Sequence, residues 1–68
     1  MKTTSRGARD WLRQHLAMLK DGGMWFIPRS GSIVTVHHST KTYTMTGGAD
    51  EPTRQVMAAI GWSERDDN

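Results

Sequence analysis

Cysteine is absent from this chain, so neither a disulfide framework nor a thiolate zinc site can staple it. At 68 residues it makes one small domain, spanning 1–68, and a chain this short buries only roughly 60% of the surface its unfolded form exposes. Its core must come from three Trp, five Met and the aliphatic residues. Long apolar runs are missing too. Lys2 and Arg6 are not followed by the about 7 to 15 apolar residues of a signal peptide, and nothing approaches the roughly 20 of a membrane span. The expectation is a soluble, cytoplasmic protein with no membrane partner, whose polar ends, 1–5 and 63–68, are flexible.

A dense block of one charge is also missing. The net charge of +2 nevertheless hides an asymmetry. Up to Met45, seven cations (Lys2, Arg6, Arg9, Arg13, Lys20, Arg29, Lys41) face Asp10 and Asp21, a balance of +5. From Thr46 on, Arg54 and Arg65 face Asp50, Glu51, Glu64, Asp66 and Asp67, a balance of −3. A basic part beside an acidic tail suits a polyanionic partner, although in a soluble domain such imbalance is more often a solvated surface.

What is present is a self-complementary stretch, IVTVHHSTKTYTMT, from Ile33 to Thr46. Folded at its centre, it pairs residues whose numbers sum to 79: Val36 faces Tyr43, Val34 faces Met45, and Thr35 and His37 face Thr44 and Thr42. One face is then apolar and the other is hydroxyls and imidazole, the period-2 pattern of a hairpin lying on a core. Ahead of it, Met24–Ile27 is aromatic and β-branched and reads as a first strand, closed by the turn-forming Pro28-Arg29-Ser30-Gly31.

Helices flank the strands. Thr3, Thr4 or Ser5 can cap a helix through ARDWLRQHLAMLK, with Leu12, Leu16 and Leu19 as its apolar stripe and Asp21-Gly22-Gly23 as its stop. After Gly47-Gly48-Ala49, Asp50 can cap a second helix in which Glu51 complements the dipole and Pro52 sits in the tolerant first turn. That helix carries Val56, Met57, Ala59 and Ile60 inward, ends at Gly61, and lets Trp62 fold back on its last turn. The fold expected is α+β: helix, three-stranded antiparallel meander, helix, with both helices on one face of the sheet. Val34, Val36, Tyr43, Met45, Leu12, Leu16, Leu19, Val56 and Ile60 are its expected core.

No motif of high specificity for catalysis or cofactor binding occurs, and no cofactor or metal is expected. His37 and His38 are adjacent on a strand, so their rings point to opposite faces and cannot chelate one ion. His15 lies beside the core stripe as a satisfied boundary residue. Gly22-Gly23, Ser30-Gly31 and Gly47-Gly48 are too short for a phosphate cradle and read as turn glycines.

The element order resembles that of double-stranded-RNA-binding domains and of the small HicA-type toxins. Local likeness to the HicA family lies in RDWLRQHL (9–16) and in EPTRQVMAAIGWS (51–63), about a third of the chain. Those toxins carry a catalytic His at the start of the first strand after a Gly-Ser step, where this chain has Gly22-Gly23-Met24-Trp25. Double-stranded-RNA-binding domains open their second helix with lysines, and this one opens with Asp50-Glu51. The resemblance therefore implies a topology rather than an activity.

The function expected is that of a small non-catalytic regulatory or binding protein, of bacterial or phage type, with nucleic acid as the first candidate partner. Arg6, Arg9, Arg13, Arg29 and Lys41 would contact phosphate; Thr42, Thr44, Thr35 and His37 would offer hydrogen bonds from an open sheet face; Trp25 could stack a base. The alternative is a protein-interaction module that binds a host protein, which an exposed Trp25 or Trp62 would favour. Ribonuclease action through His37 or His38 is a third, minor reading. A homodimer fits a core this small, through an open edge at Trp25 or Tyr43.

Overall fold

A computed structural model describes residues 6–65. The elements are α1 (Arg6–Met18), β1 (Met24–Ile27), β2 (Ser32–His37), β3 (Thr42–Thr46), α2 (Glu51–Ala59) and β4 (Ser63–Glu64). They form an α+β fold around one sheet of order β1-β2-β3-β4, in which β1, β2 and β3 are antiparallel and β4 runs parallel to β3.

The central ladder has the register expected from the sequence, from Ile33 opposite Thr46 to His37 opposite Thr42. Val34 and Val36 are completely buried and Tyr43 nearly so, and they meet Leu12 and Leu16 of α1, Ile27 of β1 and Met57 of α2. Leu19, Trp25, Met45, Val56, Ile60 and Trp62 pack around that cluster half-buried. Both helices therefore lie on the Val34–Val36 face. Ala59, expected to point inward, is exposed, while its neighbour two residues back, Met57, takes the central place.

The three-stranded meander is incomplete as an expectation. Gly61, at φ +90°, ends α2, and Trp62 N–H reaches back to the Met57 carbonyl (2.9 Å), so the indole drops toward the core. The chain leaves that cap alongside β3. Ser63 N–H then donates to the Lys41 carbonyl (3.1 Å) and Arg65 N–H to the Tyr43 carbonyl (2.6 Å), making a parallel fourth strand with α2 as its crossover. Ser63 and Glu64, expected to be flexible, are thus strand residues, held by backbone bonds to β3 and by the Arg54 guanidinium on the Glu64 carboxylate (3.0 Å). The edge expected at Tyr43 is covered by β4, and β1 remains an outermost strand.

Helix α1 stops at Met18, two residues before the expected end. Leu19 N–H tightens onto the Leu16 carbonyl (3.1 Å), and the Leu19 carbonyl turns aside to accept from the His38 ring (2.8 Å). The loop that follows is fastened to β2, with Gly22 N–H on the Val36 carbonyl and Val36 N–H on the Gly23 carbonyl. The caps proposed at Thr3, Thr4 and Ser5 lie outside the described residues.

Candidate ligand-binding surfaces

Strand alternation divides the expected site residues between two sides of the sheet. Thr35, His37, Thr42 and Thr44 share the face turned away from the helices, whereas Trp25 pairs with Val34 and faces them. Arg6, Arg9 and Arg13 fall on one side of α1, at i, i+3 and i+7, behind the sheet. One ligand surface cannot include both sets.

The open face also differs in character from a field of hydroxyls. Met24 and Phe26 of β1 project onto it beside Ile33, and all three are exposed, at 64%, 59% and 40%. Thr44 is only 8% exposed, set in the middle of β3 between Thr35 of β2 on one side and the end of β4 on the other. The Thr42 hydroxyl pairs with that of Thr40 (2.7 Å). Thr35 and His37, half-buried, complete the face.

Arg29 and Arg54 are committed to carboxylates that belong to other elements of the fold. Arg29 reaches from the β1–β2 turn and donates through Nε and Nη2 to both oxygens of Asp50 (2.8 and 2.7 Å). Asp50 is 3% exposed, caps α2 through the Thr53 N–H (3.2 Å), and also accepts from the Thr53 hydroxyl. The guanidinium, first, and the Thr53 donors hold the Asp50 carboxyl far below the usual carboxylate range, against the opposing effect of burial. Arg54 bridges Glu51 (2.6 Å) and Glu64 (3.0 Å), tying α2 to β4. Arg29, expected to contact phosphate, is therefore a brace of the α2 N-terminus, although its outer surface stays open.

Arg13 and Lys41 do converge. They line a cleft of about 270 Å³ with Leu16, Ala17, His38, Ile60 and Trp62, where α1, the β2–β3 turn and the end of α2 meet. Arg13 has only a long exposed contact with Asp10 (3.3 Å), an arrangement worth little in water. Lys41 adopts φ +52°, a left-handed conformation disfavoured for a side chain of this kind. The wall of the cleft is rigid: the His38 ring donates through Nε2 to the Leu19 carbonyl and meets Trp62 edge-on at 5.4 Å, while His38 N–H donates to Asp21 (2.7 Å). Sequence reasoning named Arg13 and Lys41 but missed Trp62 and His38 as their neighbours, since only the glycine cap at Gly61 signals where Trp62 turns.

The remaining aromatic cluster is Trp11, stacked on His15 at 4.9 Å, with Trp25 edge-on to the same imidazole at 4.7 Å. His15 is held by rings and its buried Nε2 has no hydrogen-bond partner among the described residues, so it is packed rather than satisfied. Trp25 and Trp62 are half-buried, and the indole most open to solvent is Trp11. Among the described residues no helix is long and apolar enough to cross a membrane. Comparison with protein-family models, with curated proteins and with solved structures returns no match for this chain.

Proposed function

We propose that this chain is a small non-catalytic binding protein that docks nucleic acid along the basic side of α1 and into the Arg13–Lys41 cleft. The observation that carries this is the convergence of two cations from distant parts of the sequence on a cleft walled by Trp62 and His38. A phosphate between Arg13 and Lys41, with a base against an indole, is the common chemistry of single-strand recognition. The charge supports it. In α1 and the two adjoining turns, Arg6, Arg9, Arg13, Lys20 and Lys41 outnumber Asp10 and Asp21 by three, while Arg29 and Arg54 are set against Asp50, Glu51 and Glu64.

The histidines favour docking over cleavage. His38 Nε2 is occupied as a donor, His15 is enclosed by two indoles, and His37 stands on the far face from the cleft. Where the HicA-type toxins carry their catalytic His, this chain has Gly22-Gly23-Met24-Trp25.

The test is fluorescence anisotropy with labelled 12- to 20-nucleotide DNA and RNA, single- and double-stranded, over a salt series. Binding at low salt that weakens with a log–log slope of about −2 is expected for two to three phosphate contacts. Lys41→Gly should lower that slope by about one while leaving the fold intact, because glycine accepts the positive φ of this turn. Absence of binding to every one of these nucleic acids at low salt overturns the proposal. The protein-interaction reading then takes its place, favoured by the exposed Met24, Phe26 and Ile33.

A further inference from the structure

Strand β1 is outermost in the sheet, and although it is only four residues long, Met24-Trp25-Phe26-Ile27 itself contains no charge, no proline and no bulge to blunt the edge. Its surroundings are apolar on both sides. Met24, Phe26 and Ile33 are exposed in front, and behind, Trp11, 59% exposed, stacks on His15, which Trp25 meets edge-on, so four of the five large hydrophobic side chains most open to solvent among the described residues lie on or near this one strand. We propose that the occupant is a second copy of the chain, joined β1 to β1 antiparallel across a twofold axis at Trp25, giving one continuous eight-stranded sheet.

The register follows from which backbone groups are free. Val36 N–H donates to the Gly23 carbonyl and Gly31 N–H to the Ile27 carbonyl, so the odd-numbered residues of this segment turn their backbone groups toward β2. Those of Met24 and Phe26 therefore point outward. A twofold axis with side chains matched face to face requires paired residue numbers to sum to an even value. At 50, Met24 exchanges both hydrogen bonds with Phe26 of the second copy, twice over, for four bonds, and Trp25 meets its counterpart on the axis. At 52, Phe26 pairs with itself and Met24 lies opposite Pro28, which has no N–H; at 48 only Met24 pairs with itself, because Gly22 N–H is spent on Val36. Register 50 also brings the turn that carries Arg29 toward the turn of the second copy that carries Asp21; Arg29 keeps its bonds to Asp50 and Asp21 its bond from the His38 N–H, so the two add a longer-range attraction, twice over, rather than a new ion pair.

A ladder this short gives association in about the micromolar range. It is independent of nucleic-acid binding and is measured on the protein alone. Sedimentation velocity from about 1 to 500 µM should show a monomer–dimer equilibrium, and Phe26→Lys, placing a charge at an already exposed site, should shift it at least tenfold toward monomer with an unchanged circular dichroism spectrum. Register is read by disulfide trapping, since the chain has no cysteine of its own. A mixture of Met24→Cys and Phe26→Cys proteins should cross-link between the two variants, at the about 5.5 Å separation of a hydrogen-bonded pair, while neither variant alone cross-links efficiently. A monomer at every concentration, a dimer unaffected by Phe26→Lys, or efficient self-cross-linking of Phe26→Cys each overturns the proposed arrangement.

Discussion

Replacing Gly48 with alanine tests the tightest approach in the fold. Two turns meet back to back, Ser30-Gly31 from the β1–β2 connection and Gly47-Gly48 after β3. A Cβ on Gly48 would stand 2.2 Å from the Ser30 carbonyl oxygen, 3.2 Å from its carbon and 3.3 Å from the Ser32 hydroxyl. The obstacle is backbone, so no side chain can swing away. Relief requires the Ser30 turn to move by about 1 Å, and that turn also carries Arg29 to Asp50 and so holds the α2 cap. Overpacking of this kind costs about 1–3 kcal/mol. In a domain of this size each kcal/mol lowers Tm by about 4–8 °C, so a fall of roughly 8–16 °C is expected for the middle of that range. Gly7→Ala is the control: a Cβ there meets nothing within 4 Å, and alanine inside α1 should raise stability by about 0.5–1 kcal/mol. Thermal melts by circular dichroism and urea titrations read both. If Gly48→Ala melts within about 2 °C of the parent chain, the turns do not pack as described and the bracing of the α2 cap loses its basis.

Asp50→Ala should cost about 2 kcal/mol in urea titrations, removing a cap and the acceptor of Arg29 together, whereas Asp50→Asn, which keeps an acceptor for Thr53 N–H, should cost less than half of that. Because the folded carboxyl is held below its unfolded value of about 3.9, its contribution is complete above that pH and is lost as pH falls toward the folded value; Asp50→Asn should therefore flatten the acid side of the stability profile. Tyr43 gives the opposite sign at alkaline pH. Burial, helped by Glu64, raises its phenol above the ordinary value of about 10, so its contribution is intact below that pH and disappears as pH rises through the folded value; absorbance at 295 nm should titrate late and together with loss of ellipticity, and a phenolate forming at ordinary pH in the folded chain would refute its burial.

The parts of the fold legible in the sequence are those in which side-chain periodicity carries the information. The β2–β3 register is set by an alternation that one residue of slip would invert, burying Thr35 and His37 and exposing Val34 and Val36, so it is over-determined. The α2 cap was equally legible, since Asp50, Glu51 and Pro52 each suit only the first turn. Strand β4 left no such trace. Ser63 and Glu64 bury nothing, and their place is decided by the Gly61 cap, by carbonyls of Lys41 and Tyr43, which are groups every residue possesses, and by an Arg54–Glu64 ion pair between residues ten apart that no periodicity announces. The open face was misjudged for a related reason: the hairpin's own outer residues are mostly polar, but β1 adds Met24 and Phe26 beside Ile33, and which residues of a short apolar strand face outward depends on its pairing with β2.

The site shows how a charge count misleads when ion pairing is unseen. Along the sequence Arg29 belongs to the basic part and Arg54 to the acidic one, yet in space both serve the acidic end, where Asp50, Glu51 and Glu64 gather around the start of α2 and β4. What this leaves is narrower than a +5 segment and better defined. Arg13 arrives from a helix and Lys41 from a strained turn, and the two share a cleft because His38 fastens the β2–β3 turn to the end of α1. The His38 imidazole is thus a strut, and the strut is what brings the two cations together. On the docking proposed above, His38→Ala should therefore weaken nucleic-acid binding without removing a phosphate contact: the salt slope should stay that of the parent chain while the affinity falls at every salt concentration. A reduced slope would mean instead that His38 itself meets the phosphate.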